Sequence, residues 1–148
     1  MRDPNLHPKG TRTPEPADSG PYLPIAEHGL IGNLHTVALV GTEGTIDWYC
    51  CPRFDAPSLF GAILDRERGG YWRIAPAETN WTTKQLYFPE TNILITRFLS
   101  PHGVAEVHDF MPVVSSGRQP HRLVRKLLCV RGRVPFRVEV EPRFDYGR

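Results

Sequence analysis

Apolar and polar positions alternate most cleanly near the C-terminus. There Phe136, Val138 and Val140 interleave with Arg137, Glu139 and Glu141. A period of two is that of a strand with one covered face, so this segment is the clearest half-buried strand in the chain. The same logic runs back along the second half. Gln85 to Phe88, Ile93 to Leu99, Val104 to Met111 and Leu123 to Val130 read as strands. Ile93 to Leu99 is β-branched and apolar on both faces, which fits a central strand. Ser100-Pro101-His102-Gly103 and Arg131-Gly132-Arg133 read as the turns between them. In the first half, Val37 to Val40 and Thr45 to Tyr49 flank the turn Gly41-Thr42-Glu43-Gly44, where glycine meets a need for positive φ. Tyr71 to Ile74 resumes as strand after Gly69-Gly70. One short helix is expected between: Asp55 as its N-cap, Pro57 in the first turn, and Leu59, Ala62 and Ile63 on one face.

Many short strands at even spacing with Gly/Pro turns, and no long amphipathic helix, point to a β-sandwich or barrel. The expected fold is all-β: an antiparallel β-sandwich with one short helix, over residues 22–148. Residues 1–21 hold Pro4, Pro8, Pro14 and Pro16 among small and charged residues with few apolar anchors, and are expected to form a disordered tail. Pro-Arg-Phe-Asp occurs at 52–55 and again at 142–145, with no periodic register between the copies. The chain ends at Arg148, directly after the second copy, which reads as a polypeptide stopped between domains.

The 148 residues suffice for one domain with a true core. A hydrophobic share of 40% with 23% charged residues is that of a soluble globular protein. No apolar run is long enough to span a membrane, and the N-terminus lacks a signal peptide's apolar core, so a cytoplasmic location is expected. Cys50, Cys51 and Cys129 are odd in number and spaced as no disulfide framework, so they read as free thiols. No metal-ligand spacing occurs among the histidines and cysteines, and no cofactor is expected. A net charge of +2 is too small to imply a nucleic-acid partner by itself, and none is expected. The late basic residues Arg118, Arg122, Arg125, Lys126, Arg131, Arg133 and Arg137 read as the solvated face of a sheet, with a phosphate-tracking patch as the alternative.

Candidate chemistry concentrates between Ile31 and Phe60. Trp48, Tyr49 and Phe54 offer flat faces to the C–H groups of a pyranose, and Asp47, Arg53 and Asp55 suit paired hydroxyls. Asp47, Trp48, Arg53, Phe54 and Asp55 are therefore the candidate sugar-binding or pocket-rim residues. The plainer alternative makes Trp48 and Phe54 core residues and Arg53–Asp55 a structural ion pair. Inverting glycoside hydrolysis needs two carboxyl groups across a cleft. Asp47, Asp55, Asp65 and Glu67 are the nearest acids, but each has a simpler reading in a loop, a cap or a solvated turn. Trp72 and Trp81 read as core or inter-domain anchors.

Ile31-Gly32-Asn33, Gly44-Thr45-Ile46-Asp47-Trp48, Pro52 through Phe60 and Asp65-Arg66-Glu67-Arg68-Gly69-Gly70 together resemble the N-terminal domain of bacterial family-15 glycoside hydrolases, the trehalase and glucoamylase-like enzymes. Asp109-Phe110-Met111-Pro112 and Pro142 through Gly147 extend the resemblance. It implies a β-sandwich joined to a catalytic α/α toroid that carries two glutamates and hydrolyses an α-glucoside, foremost α,α-trehalose, with inversion. No residue here matches either glutamate, and no motif matches the magnesium and phosphate associated with some mycobacterial trehalases. The implied partner is the C-terminal catalytic domain of the same polypeptide, with trehalose or another α-glucoside as a further ligand. The loop from Asp47 to Asp55 would then brace or rim the pocket. A stand-alone carbohydrate-binding module, a sandwich that binds another protein, and a glucoamylase-type parent are the competing expectations. Cut from its toroid, the domain is expected to expose an apolar patch and self-associate.

Overall fold

The computed structural model describes residues 22–113 and 121–148. The tail expected over residues 1–21 lies outside them, as does Arg118. Among the described residues, ten strands run β1 His28–Gly32, β2 Val37–Gly41, β3 Thr45–Cys50, β4 Ser58–Phe60, β5 Tyr71–Pro76, β6 Thr82–Tyr87, β7 Leu94–Ser100, β8 Gly103–Phe110, β9 Val124–Gly132 and β10 Phe136–Glu141. They form two antiparallel sheets. The first has the order β1-β2-β3-β5-β10 with β4 on β3, and the second β6-β7-β8-β9. β9 and β10 are consecutive in sequence yet lie at the edges of opposite sheets.

The strands expected from alternation are present, and so is the turn at Gly41–Gly44. Gly44 has φ +87, and a Cβ there would run into the carbonyl oxygen of Ile74. The short helix after Asp55 is absent. Ser58 and Phe60 are buried and Leu59 is half-buried, the alternation of a strand. They form β4, with Tyr49 opposite Phe60 and Cys50 opposite Ser58. The Asp55 carboxylate turns to Arg53 instead of capping a helix. The cap-and-proline signal at Asp55–Ser58 suits a turn equally well, and pairing with β3 decides the outcome. The described helical residues are two 3-10 turns, Ile25–Glu27 and Asp145–Gly147.

The core lies between the sheets. Ile31, Ala38, Val40, Ile46, Tyr49, Phe60, Leu94 and Met111 fill one end. Ile74, Ala75, Phe98 and Val107 fill the other, with Trp72 packed against both groups. Phe98 is the hub of the second group: Trp81 and Phe136 meet its ring edge-on at 5.3 and 5.6 Å between centroids. Trp72 and Trp81 are thus partly buried residues packed against the core.

Two polar devices lock the sheets together. On the β1–β6 side, the Tyr87 hydroxyl accepts from Leu30 N–H at 2.9 Å and donates to Leu30 C=O at 2.8 Å. Asn92 Nδ2 donates to Gly32 C=O at 2.8 Å. The free edge of β1 is thereby satisfied. In the interior, Arg125 of β9 donates from Nε to Asp109 of β8 at 2.8 Å, and from its terminal nitrogens to the carbonyls of Trp72 and Gly44 in the other sheet. Neither Arg125 nor Asp109 exposes any side-chain surface. The expectation of a solvated basic face fails at Arg125. Opposite Asp109 in register, its side chain points into the sandwich, where a carboxylate and two carbonyls meet its donors.

Candidate functional site

The five candidate residues divide into two groups. Asp47 and Trp48 belong to β3. Leu39 pairs with Trp48 and Val40 with Ile46, so Asp47 is the extra residue of a bulge. Its Oδ2 lies 2.9 Å from His28 Nε2, and His28 Nδ1 lies 3.0 Å from Pro24 C=O. A carbonyl oxygen only accepts, so Nδ1 carries a proton. The contact between Nε2 and the carboxylate then needs a proton of its own, on the imidazole or on Asp47. The electrostatics agree. Burial pushes the Asp47 carboxyl up, and the His28 bond only partly opposes it. Burial also pulls the His28 imidazole down, but the Asp47 bond and charge outweigh it and leave the value raised. Asp47 is therefore engaged in tying β3 to β1. Trp48 lies on the same face as Leu39 and packs against Tyr146 at 6.2 Å, tilted by 39°.

Arg53, Phe54 and Asp55 lie on the loop between β3 and β4. Arg53 Nε donates to Asp55 Oδ1 at 3.0 Å and Nη2 to Oδ2 at 3.4 Å. Both side chains are more than 70% exposed, at 71% and 73%. The Arg53 bond draws the Asp55 carboxyl down. The loop backbone is held by Phe54 N–H on His35 C=O at 3.2 Å and Ala56 N–H on Arg53 C=O at 3.1 Å. Phe54 is exposed, not core. The loop thus presents a guanidinium, a carboxylate and an aromatic ring in a fixed arrangement. Asp47 and Trp48 turn to partners of their own.

Glu106 and Asp65 are engaged as well. Glu106 accepts from Arg97 Nε and meets His108 Nε2, each at 2.7 Å. Asp65 Oδ1 accepts the N–H groups of Glu67 and Arg68, as an acid in a turn does. Among the described residues, no three His, Cys, Asp or Glu side chains gather to hold a metal ion. Cys50 is buried, and burial pushes its thiol up, so it is a poor nucleophile. Cys129 is exposed.

Sequence reading missed His28, Arg125 and Tyr146. The signal for Arg125 was present: it shares a period-two face with Leu127 and Cys129, opposite Lys126. Nothing local marked His28 or Tyr146, whose partners lie 19 and 98 residues away in sequence.

Residues 19–148 match the family model described as trehalase-like, N-terminal. The chain belongs to the trehalase-like N-terminal domain family. This trehalase-like domain is 35% identical to a trehalase of Thermoplasma volcanium over 86% of its length, and 32% identical to one of Mycolicibacterium smegmatis over 90%. It is 40% identical to Trehalase 1 of Sulfolobus acidocaldarius over 80%. The aligned part is 21%, 22% and 19% of those relatives, so the chain spans about a fifth of the curated proteins it matches. No solved structure matches it at a significant level.

Proposed function

We propose that this chain is the N-terminal domain of an α,α-trehalase of the family-15 glycoside hydrolase type, packed on a catalytic domain and inactive without it. The observation that carries the reading is the family match over residues 19–148, with relatives named trehalase of which the aligned part is about a fifth. The geometry supports the division of labour. Asp47, Glu106 and Asp109 each face a histidine or an arginine. None is left as a general acid or base.

The catalytic pair then resides in the remaining polypeptide. One carboxylic acid protonates the glycosidic oxygen while the other activates a water on the opposite face of the sugar. Water becomes bonded to one anomeric carbon, which inverts to β-glucose. The C–O bond to that carbon breaks, and the second glucose leaves as the α anomer. The Arg53–Asp55 loop contributes a pre-formed rim of one cation, one anion and one ring, bonding hydroxyls from outside the reacting centre. A trehalase parent is favoured over a glucoamylase because the Thermoplasma, Mycolicibacterium and Sulfolobus relatives bear the former name.

Proton NMR of trehalose hydrolysis by the trehalase-length polypeptide tests this. Equal initial amounts of α- and β-glucose are expected. Release of α-glucose alone would indicate retention, and no glucose at all would remove the trehalase assignment.

A further inference from the structure

The sandwich is closed on one side and open on the other. The β1–β6 side is latched by Tyr87 and Asn92. On the β9–β10 side, among the described residues, no further strand pairs with the outer edge of either strand. Beyond the buried Arg125, which ties β9 to the facing sheet, the inward-facing side chains there are apolar. Val138 pairs with buried Ile74 and Val140 with Trp72, and both share the face of Phe136, which packs on Phe98. Leu127 pairs with buried Val107, and Cys129 with buried Ala105. Inward-facing residues of a finished sandwich are covered. Yet Val138, Val140 and Leu127 are 57%, 53% and 44% exposed, and Cys129 is exposed as well. They line an apolar cleft between two bare strand edges, the arrangement that accepts an added strand.

We infer that this cleft is filled by an extended apolar segment of the same polypeptide lying outside residues 1–148, which adds to the edge of β10 and lays alternate side chains on Leu127, Cys129, Val138 and Val140. The inference rests on reading the chain as one domain of a trehalase-length protein. About four-fifths of the length of the matched relatives lies beyond the aligned part, which is 19–22% of them. Residues 1–21 and 114–120 carry Met1, Leu6, Ala17 and Val114 as their apolar side chains besides proline. A second copy of the chain is the competing occupant, and concentration dependence separates it.

The test uses the trehalase-length polypeptide, pulsed with a maleimide, with labelling of the Cys129 peptide read by mass spectrometry. Val138→Cys in a Cys129→Ser background gives a second probe on the facing strand. A covered cleft requires local opening before reaction, so both sites should label at least about tenfold more slowly in the folded protein than in urea. The protection should not change on dilution. Labelling of either site at nearly the unfolded rate would overturn the inference. So would protection that disappears as the protein is diluted to monomer, which would assign the cleft to a second copy. Trehalose hydrolysis is measured on the same samples. Its absence would count against the trehalase reading, whereas labelling reports on the cleft alone.

Discussion

Arg125 and Asp109 form an ion pair wholly inside the sandwich, with Nε 2.8 Å from the carboxylate and no side-chain surface left to solvent on either residue. The guanidinium also lies over Trp72 at 5.4 Å and donates to carbonyls of the facing sheet. One side chain thus joins β8, β9 and the opposing sheet.

Truncating that side chain should be severe. Arg125→Ala leaves the buried Asp109 carboxylate without its cation and takes a donor from the carbonyls of Trp72 and Gly44, and a loss of about 3–5 kcal/mol is expected. Chemical denaturation measures it. Arg125→Lys should recover only part, because an ammonium lacks the planar fork that reaches three acceptors at once. A loss as small as that of a surface substitution would contradict the role assigned to the pair.

Gly44 is required by its backbone. At φ +87, with Ile74 C=O where a Cβ would stand, Gly44→Ala combines strain with a steric clash. A loss of about 1–3 kcal/mol is expected, read as a lower thermal midpoint. Gly61 has no comparable obstruction, its nearest atoms lying 3.5 Å from an added Cβ, so Gly61→Ala should be milder.

The His28–Asp47 pair predicts a pH dependence. Both groups hold protons more tightly in the folded state, because the folded values of both are raised. For His28 the stabilisation is complete below its ordinary 6.5 and fades as pH rises through the folded value. Asp47 acts in the same sense from lower pH: ionising its carboxyl opposes folding above its ordinary 3.8. The thermal midpoint of the unsubstituted protein relative to Asp47→Asn should therefore be more favourable near about pH 6 than near about pH 9. A difference that does not change with pH would contradict a shared proton.

The Arg53–Asp55 loop predicts a separation of function from stability. Its ion pair is exposed, and such pairs add little to folding. Asp55→Ala and Phe54→Ala should leave the thermal midpoint unchanged within error. In the trehalase-length protein they should raise KM for trehalose several-fold with a smaller effect on kcat, as loss of uniform binding does. Unchanged KM in both variants would remove the loop from the pocket rim.

Most of the fold was legible because its information is local. Alternation marks the strands, and glycine marks the turns at Gly44 and Gly132, both at positive φ. The errors share a cause: the deciding partner is distant. Asp55 carries cap chemistry, but β3 recruits Ser58–Phe60 as a strand. Arg125 sits in a basic run, but Asp109, 16 residues away, draws it inside. In β10 the alternation correctly gave the strand and its inward face, yet Val138 and Val140 remain uncovered. Of the candidate site, only the Arg53–Asp55 pairing was readable, since it spans two residues. His28 as the partner of Asp47 required the register of three strands.

If this domain belongs to a trehalase whose catalytic groups lie elsewhere in the polypeptide, activity must follow the longer chain. Glucose release from α,α-trehalose is to be measured in parallel for the trehalase-length protein and for residues 1–148 alone. Sustained hydrolysis is expected from the first, and none above the uncatalysed background from the second. Glucose release by residues 1–148 alone would place the catalytic groups inside this sandwich and contradict their assignment to the remaining polypeptide.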